Sequence, residues 1–324
     1  MDKPVYAVAL YCRTFENNNP FSEDYYWQAY QDFMLALQQR GVQAYLVTDE
    51  SSYLGHGRFS TAYTITQKTT LDNLRQVHNI TADVVFDRSD FQGHDVTVIN
   101  DPFVYSVGTD KIQIYSHFAK FQPFSVVCNG RDELEQAFES IEGDAIVVKK
   151  PVSYGGRDVY IGSKADVRKQ VPNSYPLLVQ EFLDTSAGVA GKMRGVHDVR
   201  LSICGGEVIG CYIRQAKQGS LYSNVSKGGK MLFMDVAEAP ADLVAAAKQV
   251  DELFAGLPRY YSVDFISTAK GWKLLEINAL LALLPRSDGP QAEYTLEKLA
   301  DYFVEVCRQA RKPARGARLQ PQTL

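Results

Sequence analysis

Hydrophobic and polar positions along the chain sort into strand-length and helix-length blocks. Residues 4–11, Pro-Val-Tyr-Ala-Val-Ala-Leu-Tyr, form a continuous apolar run, the pattern of a strand buried on both faces. A turn-rich stretch over 13–24, with Asn17-Asn18-Asn19-Pro20, punctuates it. Over 25–39 the residues Trp27, Tyr30, Phe33, Met34 and Leu37 recur at helical spacing, and Gly41 stands where such a helix stops. Residues 42–47 supply the next strand. Strand, helix, strand with short joins is a βαβ unit, so the N-terminal part is expected to hold a small parallel sheet, extended by 84–86 and 96–99. No G-x-G-x-x-G follows the first strand, which argues against a dinucleotide-binding unit.

Beyond residue 100 the pattern changes. Residues 100–123 read as a hinge that includes a short amphipathic helix, followed by a helix over 132–141 and a strand over 145–151 (Ala-Ile-Val-Val-Lys-Lys-Pro). The loop 153–158, Ser-Tyr-Gly-Gly-Arg-Asp, then leads into a strand over 159–161. Strand, glycine-rich turn, strand is the geometry of a flap whose backbone N–H groups close over phosphates, although a plain hairpin turn takes the same glycines. A strand over 177–183 ends in polar groups, and 185–197, with Gly188, Gly191 and Gly195, is expected to be mobile. Residues 198–204 and 207–214 flank Gly205-Gly206 as a hairpin that brings Arg200 and Arg214 near each other. Two adjacent guanidinium groups suit an anion between them; two solvated surface arginines are the alternative. Polar residues 215–229, a strand over 230–236, and helices over 239–255 and 291–308 complete the pattern.

Between those last helices, residues 260–278 read as a second hairpin turning at Ala269-Lys270-Gly271. Folded symmetrically about Lys270, it sets Asp264 directly opposite Glu276, with Asn278 on the same face. Opposed acids repel and ask for a cation. Carboxylate and amide oxygens without His or Cys suit Mg²⁺ or Mn²⁺. A solvated face with incidental acids fits the same residues.

Composition narrows the class. At 324 residues the chain has room for two or three domains, and its 45% hydrophobic and 22% charged residues suit a soluble enzyme. A net charge of −4 exerts no general pull on nucleic acid or anionic membrane, so neither is expected as a partner. Five cysteines lack metal spacing and read as buried thiols, and five histidines also lack ligand spacing. The N-terminus has no signal-like pattern, and the apolar run 279–284 is too short to span a bilayer; a cytoplasmic location is expected. The basic end, 311–324, lacks apolar periodicity and is expected to be disordered.

Taken in order, Asp110-Lys111, Val-Val-Lys-Lys-Pro with its Gly-Gly loop, Val-Gln-Glu-Phe-Leu, Asp-Val-Arg, Ser-Asn-Val-Ser-Lys-Gly-Gly and Asp-x11-Glu-x-Asn resemble the ATP-grasp superfamily. The branch is that of bacterial glutathione synthetase and the ribosomal-protein glutamate ligases (RimK-like), over roughly residues 100–310. The resemblance implies an ATP-grasp fold of mixed α/β and α+β class. Its parts would be an N-terminal βαβ domain (1–105), a central subdomain with the flap (106–184), a C-terminal subdomain with the metal site (185–310) and the tail (311–324). It implies that Lys111 and Lys150 hold nucleotide phosphates, Lys150 being preferred over Lys149 by the Lys-Pro match, with Gly155 and Gly156 as the flap. Gln180, Glu181, Phe182 and Leu183 would meet the adenine edge, and Asp198 and Asn224 the nucleotide or its metal. Arg200 and Arg214 would be the catalytic arginines, and Asp264, Glu276 and Asn278 the ligands of two Mg²⁺ (or Mn²⁺) ions.

The activity implied is ATP-dependent joining of a carboxylate to an amine through an acyl phosphate, on amino acid or peptide substrates, and the resemblance allows a homo-oligomer. An ATP-binding regulatory or scaffold protein of the same fold, and an ATP-grasp kinase, are the rivals. Two departures stand out. Tyr222 precedes the Ser-Asn step, and the run 279–284 replaces small polar residues, as an apolar acceptor pocket or as a buried turn.

Overall fold

The computed structural model describes residues 6–13, 23–153, 155–284 and 290–312. The asparagine-rich loop over 14–22 and residues 313–324 of the basic tail lie outside the described residues. The chain divides into two compact units, Met1–Ile99 with Leu296–Leu324, and Asn100–Thr295.

The first unit is built on β1 (Tyr6–Tyr11), α1 (Asp24–Gln39), β2 (Val42–Val47), β3 (Tyr53–Gly55), β4 (Arg58–Thr64), β5 (Arg75–Thr81), β6 (Val84–Asp87) and β7 (Thr97–Ile99). Strand order is β3-β4-β2-β1-β6-β7, with β5 on β4. β1 lies parallel to β2 and β6, and β6 to β7, as the βαβ pattern predicts. The antiparallel strands β3 to β5 extend this sheet beyond the expectation. β5 is almost wholly exposed, so it carries no apolar alternation to read. The predicted apolar face of α1 is buried, and Phe33 and Phe86 each meet Phe303 at 4.9 Å.

The second unit begins with α2 (Pro102–Thr109) and α3 (Lys111–Phe118). Next come β8 (Ser125–Cys128), α4 (Arg131–Ser140), β9 (Ala145–Lys149), β10 (Val159–Ser163), α5 (Lys164–Gln170) and β11 (Leu177–Glu181). Their strands form an antiparallel sheet ordered β10-β9-β11-β8. A second antiparallel sheet, ordered β14-β13-β12-β15-β16, holds β12 (His197–Cys204), β13 (Glu207–Gln215), β14 (Lys230–Met234), β15 (Tyr260–Thr268) and β16 (Gly271–Asn278). α6 (Ala241–Asp251) joins β14 to β15, and α7 (Pro290–Ala310) closes the chain. Val199, Leu201, Cys211 and Ile213 alternate onto the core face of this sheet, packed with Leu243 and Val250 of α6.

Two loops differ from expectation. The 185–197 segment is tied down. Val189 is buried in the core and bridges Met193, the Gly195 N–H donates to Ser186, and Lys192 pairs with Glu238 at 2.8 Å. In the run 279–284, Ala279, Leu281, Leu283 and Leu284 are buried, Asn100 donates to the Ala279 carbonyl at 2.9 Å and the Tyr260 hydroxyl to Leu283 at 2.8 Å. That run is a buried turn. All five cysteines are buried free thiols. Among the described residues no helix is long and apolar enough to cross a membrane.

Candidate active site

The hairpin over 260–278 forms with the predicted pairing, by a different route. Thr268 pairs with Gly271 across a two-residue turn, and a register shift between Asp264 and Phe265 restores Asp264 opposite Glu276. Without that bulge the two-residue turn would set the acids one position out of line. Asn278 reaches the same place, its Nδ2 3.4 Å from Asp264 Oδ2.

The charge that the opposed acids demand is supplied by side chains. Arg200, paired in register with Asp264, donates Nε and Nη2 to its two oxygens at 2.6 and 2.7 Å. Arg214 donates Nη2 to Asp264 Oδ2 and Nε to Asp198 Oδ1, both at 2.6 Å. Asp198 also accepts from the Ser223 hydroxyl. Burial alone would raise the Asp264 carboxyl, but the two guanidinium groups hold it below the usual carboxylate range. Lys111, at the start of α3, donates to Ser153 O at 2.8 Å and pairs with Glu276 at 3.2 Å.

These groups sit at one end of a cleft between the two antiparallel sheets of the second unit. Its volume is about 920 Å³ counting the open mouth. Val147, Ile161, Ile266 and Leu275 give it an apolar wall. Of the residues singled out in the sequence, Lys111, Gly156, Gln180, Glu181, Phe182, Leu183, Asp198, Arg214, Asn224, Asp264 and Glu276 line it. Arg200 and Asn278 join through Asp264. Gly155 stands beside the lining; its carbonyl accepts from Ser226 at 3.0 Å. Gly156 packs so close to Asn224 that a Cβ would sit 2.8 Å from Oδ1, and its φ of +70° also favours glycine.

Lys150 is a correction. On β9 the core face carries Ile146 and Val148, so Val147 and Lys149 share the opposite face and line the cleft. Lys150, one step on, points away and pairs with Asp158 at 3.1 Å. Lys149 donates to Gln180 Oε1 at 2.8 Å, and burial pushes its ammonium down to about 8. The alternation of β9 carried this signal; the Lys-Pro match pointed the other way.

Residues 111–287, over half the chain, match the family model of the RimK-like ATP-grasp domain. The protein belongs to the RimK-like ATP-grasp family. Similarity to curated proteins is more distant: a "Probable alpha-L-glutamate ligase" of Legionella pneumophila (strain Corby) is 25% identical over 224 residues, 66% of this chain and 68% of that one. Among solved structures, D-alanyl-alanine synthetase A from Vibrio cholerae superposes with a TM-score of 0.64 at 14% identity, covering 96% of this chain and 99% of that one. A Chryseobacterium gregarium RiPP-associated ATP-grasp ligase, in complex with ADP and a leader and core peptide, gives 0.58 at 12%, covering 97% and 100%. The mixed α/β ATP-grasp fold and the ligase class read from the motifs therefore stand.

Among the described residues of this ATP-grasp protein, no group of three or more His, Cys, Asp or Glu side chains could hold a metal ion. Two carboxylates and an amide on one hairpin still fit Mg²⁺, which binds through one or two carboxylates together with substrate phosphates. The donor set suits an ion that arrives with a nucleotide. Sequence reasoning passed over Lys149, Ser153 and Ser223, and His197, whose Nδ1 lies 3.1 Å from Gly195 O while Nε2 accepts from Ser267 N. Ser223 opens the Ser-Asn-Val-Ser-Lys-Gly-Gly motif, whereas His197 carries no motif and only the register of β12 places it.

Proposed function

We propose that the protein is a cytoplasmic ATP- and Mg²⁺-dependent ligase that joins the carboxylate of an amino acid or peptide to an amine through an acyl phosphate. The observation that carries this reading is the convergence of Lys111, Lys149, Arg200 and Arg214 with Asp264 and Glu276 at one end of the cleft. Phosphoryl transfer needs positioning and charge neutralisation more than a protein nucleophile, and this is such a site.

In this reading the adenine lies on the apolar wall against the backbone of 180–183, and Lys111 and Lys149 take the phosphates. The flap at Gly155 and Gly156 covers them, together with Asn224. Asp264, Glu276 and Asn278 would hold Mg²⁺, which supplies charge neutralisation at the β- and γ-phosphates. The substrate carboxylate attacks the γ-phosphorus; the new O–P bond forms as the bond to the β-phosphate oxygen breaks and ADP departs. Arg200 and Arg214 stabilise the charge on the phosphoryl oxygens, and Asp198 holds Arg214 in place. The amine then attacks the acyl carbon, loses its proton, and phosphate leaves. Flap closure keeps water from the acyl phosphate.

ADP and phosphate release with Mg²⁺-ATP, measured over amino acids and dipeptides singly and in pairs, tests this. Release that needs an acid and an amine together, with a condensed product by mass, is the expected outcome. A stable phosphorylated product from one substrate would make the protein a kinase instead. Tight ATP binding with no turnover across every pool would favour a regulatory role.

A further inference from the structure

The registers of the five-stranded sheet line up one row of side chains across all five strands. Glu276 pairs with Asp264, Asp264 with Arg200, Arg200 with Tyr212, and Tyr212 with Phe233. No bulge interrupts the last three pairings, so these residues share the face that carries the acids. The row runs from acids through a guanidinium to two aromatic rings.

Its aromatic end is open. Tyr212 and Phe233 are only half-buried, with ring centroids 5.7 Å apart. Among the described residues β14 is the edge of the sheet, with β13 as its one partner strand. Met231, also half-buried, lies two residues from Phe233 on the same face and opposite Arg214.

The position relative to the cleft matters more. The cleft is lined by Asp198 and Arg214 but not by Arg200, Tyr212 or Phe233. Asp264, the register partner of Arg200, does line the cleft, so Arg200 stands at its edge, between the acids and the two rings. With the phosphoryl end of a nucleotide at Asp264 and Glu276, the aromatic end of the row lies past it, where the attacking carboxylate must stand. Arg200 spends Nε and Nη2 on Asp264, and its Nη1 has no partner among the described residues. A carboxylate at Nη1 would have Tyr212 about 5 Å away across one strand and Phe233 about 10 Å away across two. That is the reach of an amino-acid side chain.

We propose that Tyr212 and Phe233 form the side-chain subsite for the carboxylate substrate, and that this substrate is an amino acid, free or ending a peptide, with an aromatic or branched apolar side chain. The inference rests on the ligase reading and specifies its acid. A glutamate or aspartate side chain laid on two rings would lose its hydration without gaining a charge partner, whereas phenylalanine or leucine would remove apolar surface from water on both sides.

Hydroxylamine stands in for the unknown amine, trapping the acyl phosphate as a hydroxamate. The full-length protein with Mg²⁺-ATP and hydroxylamine is presented with L-phenylalanine, L-leucine, L-serine, L-aspartate and L-glutamate in turn. Phenylalanine and leucine should give at least a roughly tenfold higher kcat/KM than the acidic pair. Phe233→Ala and Tyr212→Ala should each raise KM for phenylalanine roughly tenfold to a hundredfold with kcat and the KM for ATP held, and Phe233→Leu should restore most of it. Preference for glutamate, aspartate or serine, or a KM indifferent to all three variants, would overturn the subsite and leave the ligase standing. No hydroxamate and no acid-dependent ADP release from any probe would overturn both.

Discussion

Replacing Lys149 by methionine removes a buried cation that donates to the neutral amide of Gln180. Lys149 is 8% exposed, and burial lowers its ammonium from 10.5 to about 8. At about 1.4 kcal/mol per unit, the folded protein bears roughly 3 kcal/mol to keep that charge at neutral pH. The methionine variant is relieved of this cost and leaves Gln180 Oε1 unpaired, a loss of about 1–3 kcal/mol, so stability should move by no more than about 2 kcal/mol. Nucleotide binding should respond far more. A charged hydrogen bond to phosphate in a desolvated site contributes about 3 kcal/mol, so the Kd for Mg²⁺-ATP should rise roughly a hundredfold. Lys150→Ala breaks a pair with Asp158 whose side chains are 35% and 33% exposed, which is worth about 0–1 kcal/mol. Its Kd should change less than about fivefold. Titration calorimetry with Mg²⁺-ATP at pH 7, beside thermal melts of both variants, reads the two numbers. A larger loss in Lys150→Ala, or a Lys149→Met protein within threefold of the parent, would refute the strand-parity argument.

Three further outcomes are expected. Because the free Lys149 ammonium loses its proton through about 8, ATP affinity should be full below that pH and fall by up to about tenfold per unit above it; Lys149→Arg should flatten the profile measured by calorimetry from neutral to alkaline pH. Glu276→Gln should abolish metal-dependent turnover and weaken Mn²⁺ binding seen by electron paramagnetic resonance in a protein that still melts cooperatively, and full activity would sink the metal assignment. Gly108→Ala places a Cβ 2.8 Å from that of Ala279 and 2.9 Å from its nitrogen; it should cost about 1–3 kcal/mol in a denaturant melt and, by displacing the neighbouring Asn278, reduce turnover further than the melt alone accounts for.

Much of this was legible because the chemistry sits on regular strands. Period-two alternation put Asp264, Glu276 and Asn278 on one face before any coordinates, and the hairpin at Gly205-Gly206 brought Arg200 and Arg214 together. The bulge in β15–β16 was not legible, since it leaves no mark in residue type; it compensated for a turn that is one residue tighter than expected. Lys149 was misjudged although the pattern was available, because a short motif was given more weight than the alternation of Val147 and Lys149. β5 escaped notice for a different reason. A strand paired on one side and solvated on almost every residue has no hydrophobic period. The 185–197 loop was judged by its glycines, whereas its order comes from Val189 in the core and the Lys192–Glu238 pair, which are long-range facts.

The sequence also left open what balances the opposed acids, and the structure gives an answer with consequences for how the site works. Asp264 is held by two arginines, Glu276 by Lys111, and Asp198 by Arg214. Four cations, Lys111, Lys149, Arg200 and Arg214, face these three carboxylates, and among the described residues Lys149 is the one without an ion-pair partner of its own. A triphosphate entering with its metal ion therefore meets a nearly neutral site with a single excess positive charge. In the proposed reading binding would be an exchange: phosphate oxygens would take over the lysines and arginines and leave Asp264 and Glu276 for the ion, so that neither set is buried without a counter-charge. Metal without nucleotide would have to displace the arginines from Asp264 with nothing for them to grip. Nucleotide without metal would meet Asp264 and Glu276 across the same small space. The arrangement thus favours the pair over either alone, and Mn²⁺ should bind the nucleotide-loaded protein far more tightly than the free one. Equal affinity for Mn²⁺ in the two states would mean that the arginines and the metal do not compete for Asp264.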